Sequence, residues 1–158
     1  MRGKQLGIAA ALAAGTLAAT GLAFAPAAAA VTPQTATINA TCSIGGSGAA
    51  TLTATQDGTA ATITLSSTEI TAPIDVAQDS VASTLTMVKA SGGTTVFSGT
   101  KNPAIPAGGG VSVGPLDGTV ASGDSLEAYG GSLQMVVFGI TITCTADAPQ
   151  SPGPFVFD

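Results

Sequence analysis

The residues most able to do chemistry are two cysteines, Cys42 and Cys144, in a chain that contains no histidine. Without histidine, neither a Ser-His-Asp nor a Cys-His nucleophile can form, and histidine-ligated zinc is excluded. A Cys-x-x-Cys spacing is also missing, which disfavours a redox or metal site. The sequence therefore predicts a structural disulfide between Cys42 and Cys144, which should stabilise the fold by about 4 to 5 kcal/mol through chain entropy.

Carboxylates are the remaining groups that could catalyse a reaction, since glycoside hydrolysis needs only two of them at a suitable separation. Asp57, Asp117 and Asp124 each stand beside a glycine, and turn formation explains that placement without catalysis. Calcium binding is a weaker interpretation because the chain has no Asp-x-Asp-x-Asp loop. Its candidate ligands would be Asp75, Asp79, Asp117 and Asp124. We expect no catalytic, metal-binding or cofactor-binding residue, no cofactor, and no enzymatic activity.

The first thirty residues have the three parts of a signal peptide. Arg2 and Lys4 provide the positive start, and an apolar stretch follows from Leu6 to Phe24. The small residues of Ala28-x-Ala30 then predict cleavage between Ala30 and Val31. An uncleaved transmembrane anchor is the competing interpretation. We expect a protein that is secreted into the extracellular space, without stable membrane insertion after cleavage.

The predicted mature chain, residues 31–158, is long enough for one domain and strongly acidic. It contains two lysines against nine carboxylates, which gives a net charge of −7. Nucleic acid and anionic lipid are therefore poor partners, because no basic patch could neutralise their phosphates. The sequence does not identify the partner. The candidates are a cell-envelope component and another protein.

Alternation of apolar and polar residues indicates an all-β domain over residues 31–147. From Thr35 to Ser43 every second residue is apolar, and Asp57-Gly58 between two further alternating runs predicts a hairpin. In the segment from Ser132 to Thr145 the phase changes near Gly139, which indicates either a bulge or two strands that meet there. Each cysteine continues the inward phase of its own strand. We predict an immunoglobulin-like antiparallel β-sandwich of about seven to nine short strands.

Several short motifs resemble a family of secreted actinobacterial β-sandwich domains of unknown function. They are Ala40-Thr41-Cys42, the closing strand from Gly139 to Cys144, and the proline-containing stretches Pro103 to Pro106 and Pro115 to Gly118. The resemblance covers most of residues 35 to 146 and implies a sandwich with one end-to-end disulfide and no established activity. In size, acidity and composition the chain is also similar to the secreted apoproteins of enediyne antibiotics. Those proteins have two disulfides, whereas this chain can form one.

Two functions remain open on these grounds. The first is a non-catalytic surface or extracellular module with a binding or structural role, whose contacts would lie on loops such as Asn102 to Gly114. The alternative is an extracellular carrier that holds a small molecule in an apolar cleft. The proline-rich tail, residues 148–158, includes the apolar run from Phe155 to Phe157. We expect this tail to dock on its own domain rather than on a partner.

Overall fold

A computed structural model describes residues 30–158, and every regular element in that range is a β-strand. The predicted signal peptide, residues 1–30, lies outside the described residues except for Ala30. The strands are β1 (Thr35–Cys42), β2 (Ser47–Asp57), β3 (Ala60–Thr71), β4 (Ala82–Lys89), β5 (Thr94–Gly99), β6 (Gly110–Thr119), β7 (Ser125–Val137), β8 (Ile140–Ala146) and β9 (Phe155–Val156).

Eight of these strands form a closed antiparallel barrel, and β9 pairs with β7 outside the ring. Around the barrel the order is β4-β5-β6-β3-β2-β1-β8-β7, and β7 then pairs with β4 to complete the circle. The prediction of an immunoglobulin-like sandwich is therefore wrong, although the chain is all-β. A sandwich has free sheet edges, whereas pairing between β4 and β7 leaves none in the ring.

The strands connect as two three-stranded meanders, β1-β2-β3 and β4-β5-β6, followed by the hairpin β7-β8. Because β7 returns to lie beside β4, the second meander and β7 make a Greek key. The predicted hairpin is confirmed, but its two-residue turn is Gly58-Thr59 rather than Asp57-Gly58, because Asp57 is the last residue of β2 and pairs with Ala60. Near Gly139 two strands meet, since Phe138 and Gly139 form a two-residue turn between β7 and β8.

The inward phases predicted from sequence match the barrel interior. Strand β1 alternates strictly between exposed and buried positions, and Ile38 and Cys42 face the core. On β4 the inward residues include Ser83, whose buried hydroxyl has no hydrogen-bond partner. Small inward residues such as Ala40 and Ala50 fill little of the interior. A barrel of eight strands is just wide enough either to be filled by side chains or to hold one small ligand.

One end of the barrel is closed by the C-terminal tail, and we call it the tail end. Ser151 exchanges two backbone hydrogen bonds with Thr37 of β1, and Val156 pairs with Ser125 of β7. The tail thus fills the gap between β1 and β7 that the short strand β8 leaves open. Phe155 and Phe157 are fully buried there. The expectation that the tail docks on its own domain is confirmed.

At the opposite end, which we call the open end, two loops form a partial cap. The loop of residues 72–81 is bridged to the loop of residues 100–109 by the backbone pair Val76 and Ile105. Asn102, which is buried, joins them further, because its side-chain oxygen accepts hydrogen bonds from the backbone N–H groups of Ser80 and Val81. These contacts fix the cap at the level where β3 ends and β4 begins.

No helix within residues 30–158 is long and apolar enough to cross a membrane.

Candidate functional site

An apolar cavity opens at the open end of the barrel, and we call it the outer chamber. It holds about 700 Å³ of empty space, part of which is open to solvent. Its walls come from the cap loops and from the adjacent strand ends, with Val76, Ile105, Val113 and Met135 among the buried lining residues. Among residues 30–158, Thr71 is the only lining residue with a polar side chain.

The mouth of the outer chamber is surrounded by large apolar side chains that remain exposed, and we call them the rim. They come from three separate segments: the turn between β1 and β2, the cap loop of residues 72–81, and the hairpin between β7 and β8. The rim residues are Ile44, Ile74, Phe138 and Ile140. Soluble proteins seldom gather such side chains around a concave surface unless that surface binds something.

Phe138 is the most exposed of the rim residues, at 68% of its accessible surface. Its φ is 51°, and that of Gly139 is 74°. A two-residue hairpin turn of the I′ type requires positive φ at both positions and therefore favours Asn-Gly or Asp-Gly. For a bulky side chain the left-handed region costs about 1 to 2 kcal/mol. Phe138 is thus unfavourable in the folded chain both for its conformation and for its exposure.

A second cavity, the inner chamber, lies further from the open end and holds about 570 Å³ of empty space, part of which is open to solvent. The disulfide between Cys42 and Cys144 lines it, together with Ala40, Ala50 and Leu85. Its space exists because inward positions on β1 and β2 carry alanine, and β3 bulges beside it opposite β6. Between the pairs Ser66–Ser112 and Thr71–Gly110 the β3 strand has four residues and β6 has one.

No charged side chain of residues 30–158 lines either chamber. A charged ligand would therefore lose its hydration without gaining a partner, at a cost of several kcal/mol. The polar lining groups are hydroxyls, and Ser67 already donates to the carbonyl of Ala49 and accepts from the N–H of Ile70. The chambers suit a neutral apolar molecule.

The predicted disulfide is present, and it lies across the seam between β1 and β8. Cys42 and Cys144 are directly opposite each other, and both are buried. Ala30 and Val31, the predicted cleavage boundary, lie at the tail end. Val31 is buried, and the N–H of Ala30 lies 3.4 Å from the Oδ2 atom of Asp158.

The carboxylates considered from sequence are dispersed over the surface. Asp117 lies 3.4 Å from the Nζ atom of Lys101, and Asp124 lies 3.3 Å from that of Lys89. Asp75 accepts a hydrogen bond from the N–H of Ala107, which fixes a cap loop. Within residues 30–158 no three Cys, Asp or Glu side chains gather closely enough to hold a metal ion.

The loop of residues 102–114, expected to carry surface contacts, is instead part of the cap and of β6. Asn102 and Ile105 are buried, and Ile105 lines the outer chamber. The amide nitrogen of Asn102 donates to the carbonyls of Ala77 and Pro103. The oxygen and the nitrogen of this side chain therefore both form hydrogen bonds within the fold. The loop therefore contributes Ile105 to the cavity wall, while Pro103, Ala104, Pro106 and Ala107 remain exposed.

Comparison with known proteins finds no matching family model, no similar curated protein and no similar solved structure.

Sequence reasoning missed the rim. Phe138 lies in the segment whose phase changes near Gly139, and Ile44 and Ile74 are single apolar residues in turn and loop segments. The available signal was that apolar residues occupy both phases on either side of Phe138-Gly139. Such a pattern cannot be buried on one face of one strand, and it marks the hairpin that carries Phe138 and Ile140 to the mouth.

Proposed function

We propose that the protein is a secreted, non-catalytic carrier that holds a small neutral apolar molecule inside its barrel. The observation that carries this proposal is the outer chamber with its rim of exposed apolar side chains. Water inside a cavity lined almost wholly by apolar groups finds few hydrogen-bond partners. An apolar molecule therefore gains free energy when it replaces that water.

The exposed rim supports a carrier that takes up and releases its ligand, rather than a protein that keeps one ligand permanently enclosed. A ligand that is apolar enough for the chamber is poorly soluble in water, so it must transfer between environments at the mouth. Exposed side chains such as Phe138 and Ile74 give it contacts before it is enclosed. Secretion is proposed from the predicted signal peptide together with the disulfide, since disulfides persist in oxidising compartments.

A surface or cell-envelope module was the first expectation, and the cap geometry favours the carrier over it. The loop proposed to make surface contacts has its main polar side chain, Asn102, hydrogen-bonded inside the fold. The residue inventory supports a non-catalytic role, since the chain has no histidine and two of its carboxylates, Asp117 and Asp124, form ion pairs with lysines.

A fluorescence titration tests the proposal. N-phenyl-1-naphthylamine is a neutral apolar dye that brightens when it leaves water, and p-xylene is a smaller neutral competitor. We expect saturable binding of one dye per protein, displaced by p-xylene. Fluorescence that rises without saturation, together with no heat of p-xylene binding in calorimetry, would contradict the proposal.

The variant Ala72→Leu locates the site, because Ala72 is buried and lines the outer chamber. Its larger side chain should reduce dye affinity at least tenfold. Ala82→Leu is the matched control, since Ala82 is exposed on β4 and lines neither chamber. Equal affinities for the two variants would place the dye elsewhere and count against the carrier.

A further inference from the structure

The two chambers are separated by a partition of four side chains that line both of them. These are Ile70, Val111, Val113 and Met135. Three of the four are β-branched and therefore stiff at the first side-chain torsion. Met135 is unbranched, with three rotatable bonds and a polarisable sulfur, and it adapts to irregular spaces at little cost. It is the one partition residue that can move aside without a backbone shift.

The combined length of the chambers can be estimated along β8. Ile140 lines the outer chamber, and Ala146, six residues later, lines the inner one. Six residues of strand extend about 20 Å, which is about 15 Å along the axis of a barrel whose strands tilt by about 40°. An extended alkyl chain with carbon–carbon bonds of about 1.5 Å reaches this length with about ten to twelve carbons.

The lining also discriminates between aliphatic and aromatic ligands. Phe138, at the mouth, is the only aromatic side chain that lines either chamber within the described part of the chain. An aromatic probe such as p-xylene can therefore pack against an aromatic ring only at the mouth of the outer chamber, and no aromatic face or edge is available deeper in the barrel. Branched and straight aliphatic side chains surround the space instead, and they match a flexible hydrocarbon chain. The absence of charged lining groups excludes an ionised head group within either chamber.

We propose that the ligand is one neutral, elongated aliphatic molecule of about ten to twelve carbons that occupies both chambers at once. It enters past Phe138, displaces the Met135 side chain and ends beside the disulfide. This inference rests on the proposed carrier function and names the class of ligand that the same cavity would take.

Calorimetric titration of the protein with a series of 1-alkanols, from 1-butanol to 1-dodecanol, tests it. Each added methylene that is buried should increase the affinity about threefold to fourfold. We expect this increase to continue to about ten carbons and then stop. If the increase ends at about five carbons, the ligand occupies the outer chamber alone, and this inference is wrong while the carrier function stands. If no alkanol and no p-xylene binds saturably, the carrier function itself falls.

Two variants test the inner chamber separately. Ala50→Leu places a larger side chain into it, because Ala50 lines the inner chamber only. We expect at least a tenfold loss of affinity for 1-decanol and no change for 1-butanol. Ala49→Leu is the control, since Ala49 is the adjacent β2 residue and lines neither chamber. Unchanged decanol affinity in Ala50→Leu would overturn the inference.

Met135→Ile tests the partition without a change in side-chain class. A β-branched residue at this position should stiffen the partition and remove the advantage of long chains over short ones. Met135→Leu keeps an unbranched Cβ and should retain most of that advantage. If the two variants show the same chain-length profile as the original protein, Met135 does not gate the inner chamber.

Discussion

Cys42 and Cys144 are opposite each other across β1 and β8, with their Cα atoms 4.0 Å apart. The ladder between these strands contains only three residue pairs, and the disulfide lies on the last of them. This makes the bridge a covalent closure at one of the shortest seams of the ring. It also places the disulfide in the wall of the inner chamber, where both cysteines face the cavity.

Removal of the disulfide should destabilise the barrel strongly. The bridge closes a loop of 102 residues, for which chain entropy predicts about 4 to 5 kcal/mol. We expect the double variant Cys42→Ala/Cys144→Ala to lose about 4 kcal/mol in the free energy of unfolding by urea. Dithiothreitol should destabilise the original protein and leave this variant unaffected. A loss below about 1 kcal/mol would show that hydrogen bonding alone holds the seam.

Phe138→Asn should make the protein more stable and less able to bind. Asparagine suits the positive φ of this turn, so the free energy of unfolding should rise by about 1 kcal/mol. Ligand affinity should fall severalfold, because the largest rim side chain is lost. Asp79→Gly is the control: Asp79 also has positive φ, at 52°, and lines neither chamber. The ligand affinity of Asp79→Gly should equal that of the original protein. If Phe138→Asn binds the ligand as tightly as the original protein does, the rim does not contribute to binding.

The tail end should carry much of the stability without contributing to binding. Phe157 is fully buried and lines neither chamber, so Phe157→Ala should cost about 3 to 5 kcal/mol in thermal or urea unfolding. Val156, its neighbour, is exposed, and Val156→Ala should change stability by less than about 1 kcal/mol. Similar effects of the two substitutions would mean that the tail does not dock as described.

Asn102→Ala should loosen the cap. The substitution leaves the N–H groups of Ser80 and Val81 and the carbonyl of Pro103 without their partner, while the carbonyl of Ala77 keeps only the Ser80 hydroxyl. We expect a loss of about 2 to 4 kcal/mol and faster amide hydrogen exchange at Ser80 and Val81. Ser80→Ala removes only a hydroxyl bond at an exposed position and should leave exchange at Val81 unchanged. If the amides of Ser80 and Val81 stay protected from exchange in Asn102→Ala, the backbone pair between Val76 and Ile105 is sufficient to hold the cap.

Local features of the fold were predictable because they depend on neighbouring residues. Alternation along β1 identified its buried face, the Asp57-Gly58 pair identified a hairpin, and the inward phases of Cys42 and Cys144 identified the bridge. Each is a property of a few consecutive residues. The closure of the sheet is different, because strands of a sandwich and of a barrel alternate in the same way. Pairing of β4 with β7 joins residues about fifty positions apart, and no local pattern records it.

The cavity was less predictable than the fold for a related reason. Small inward residues such as Ala40 and Ala50 would leave little space in a sandwich, because its facing sheets approach each other and fill it. In a closed ring the wall positions are fixed by backbone pairing, so small side chains leave the interior empty. The chambers thus result from composition and closure together, and only the first is visible in the sequence.

The most direct test of the carrier account is a nuclear Overhauser measurement on the protein, labelled at its methyl groups and saturated with 1-decanol. The account predicts contacts from the ligand chain to the methyl groups of Val113, Met135 and Ile142, which line the chambers. Contacts confined to exposed methyl groups outside the chambers, such as those of Val96 and Val156, would contradict it.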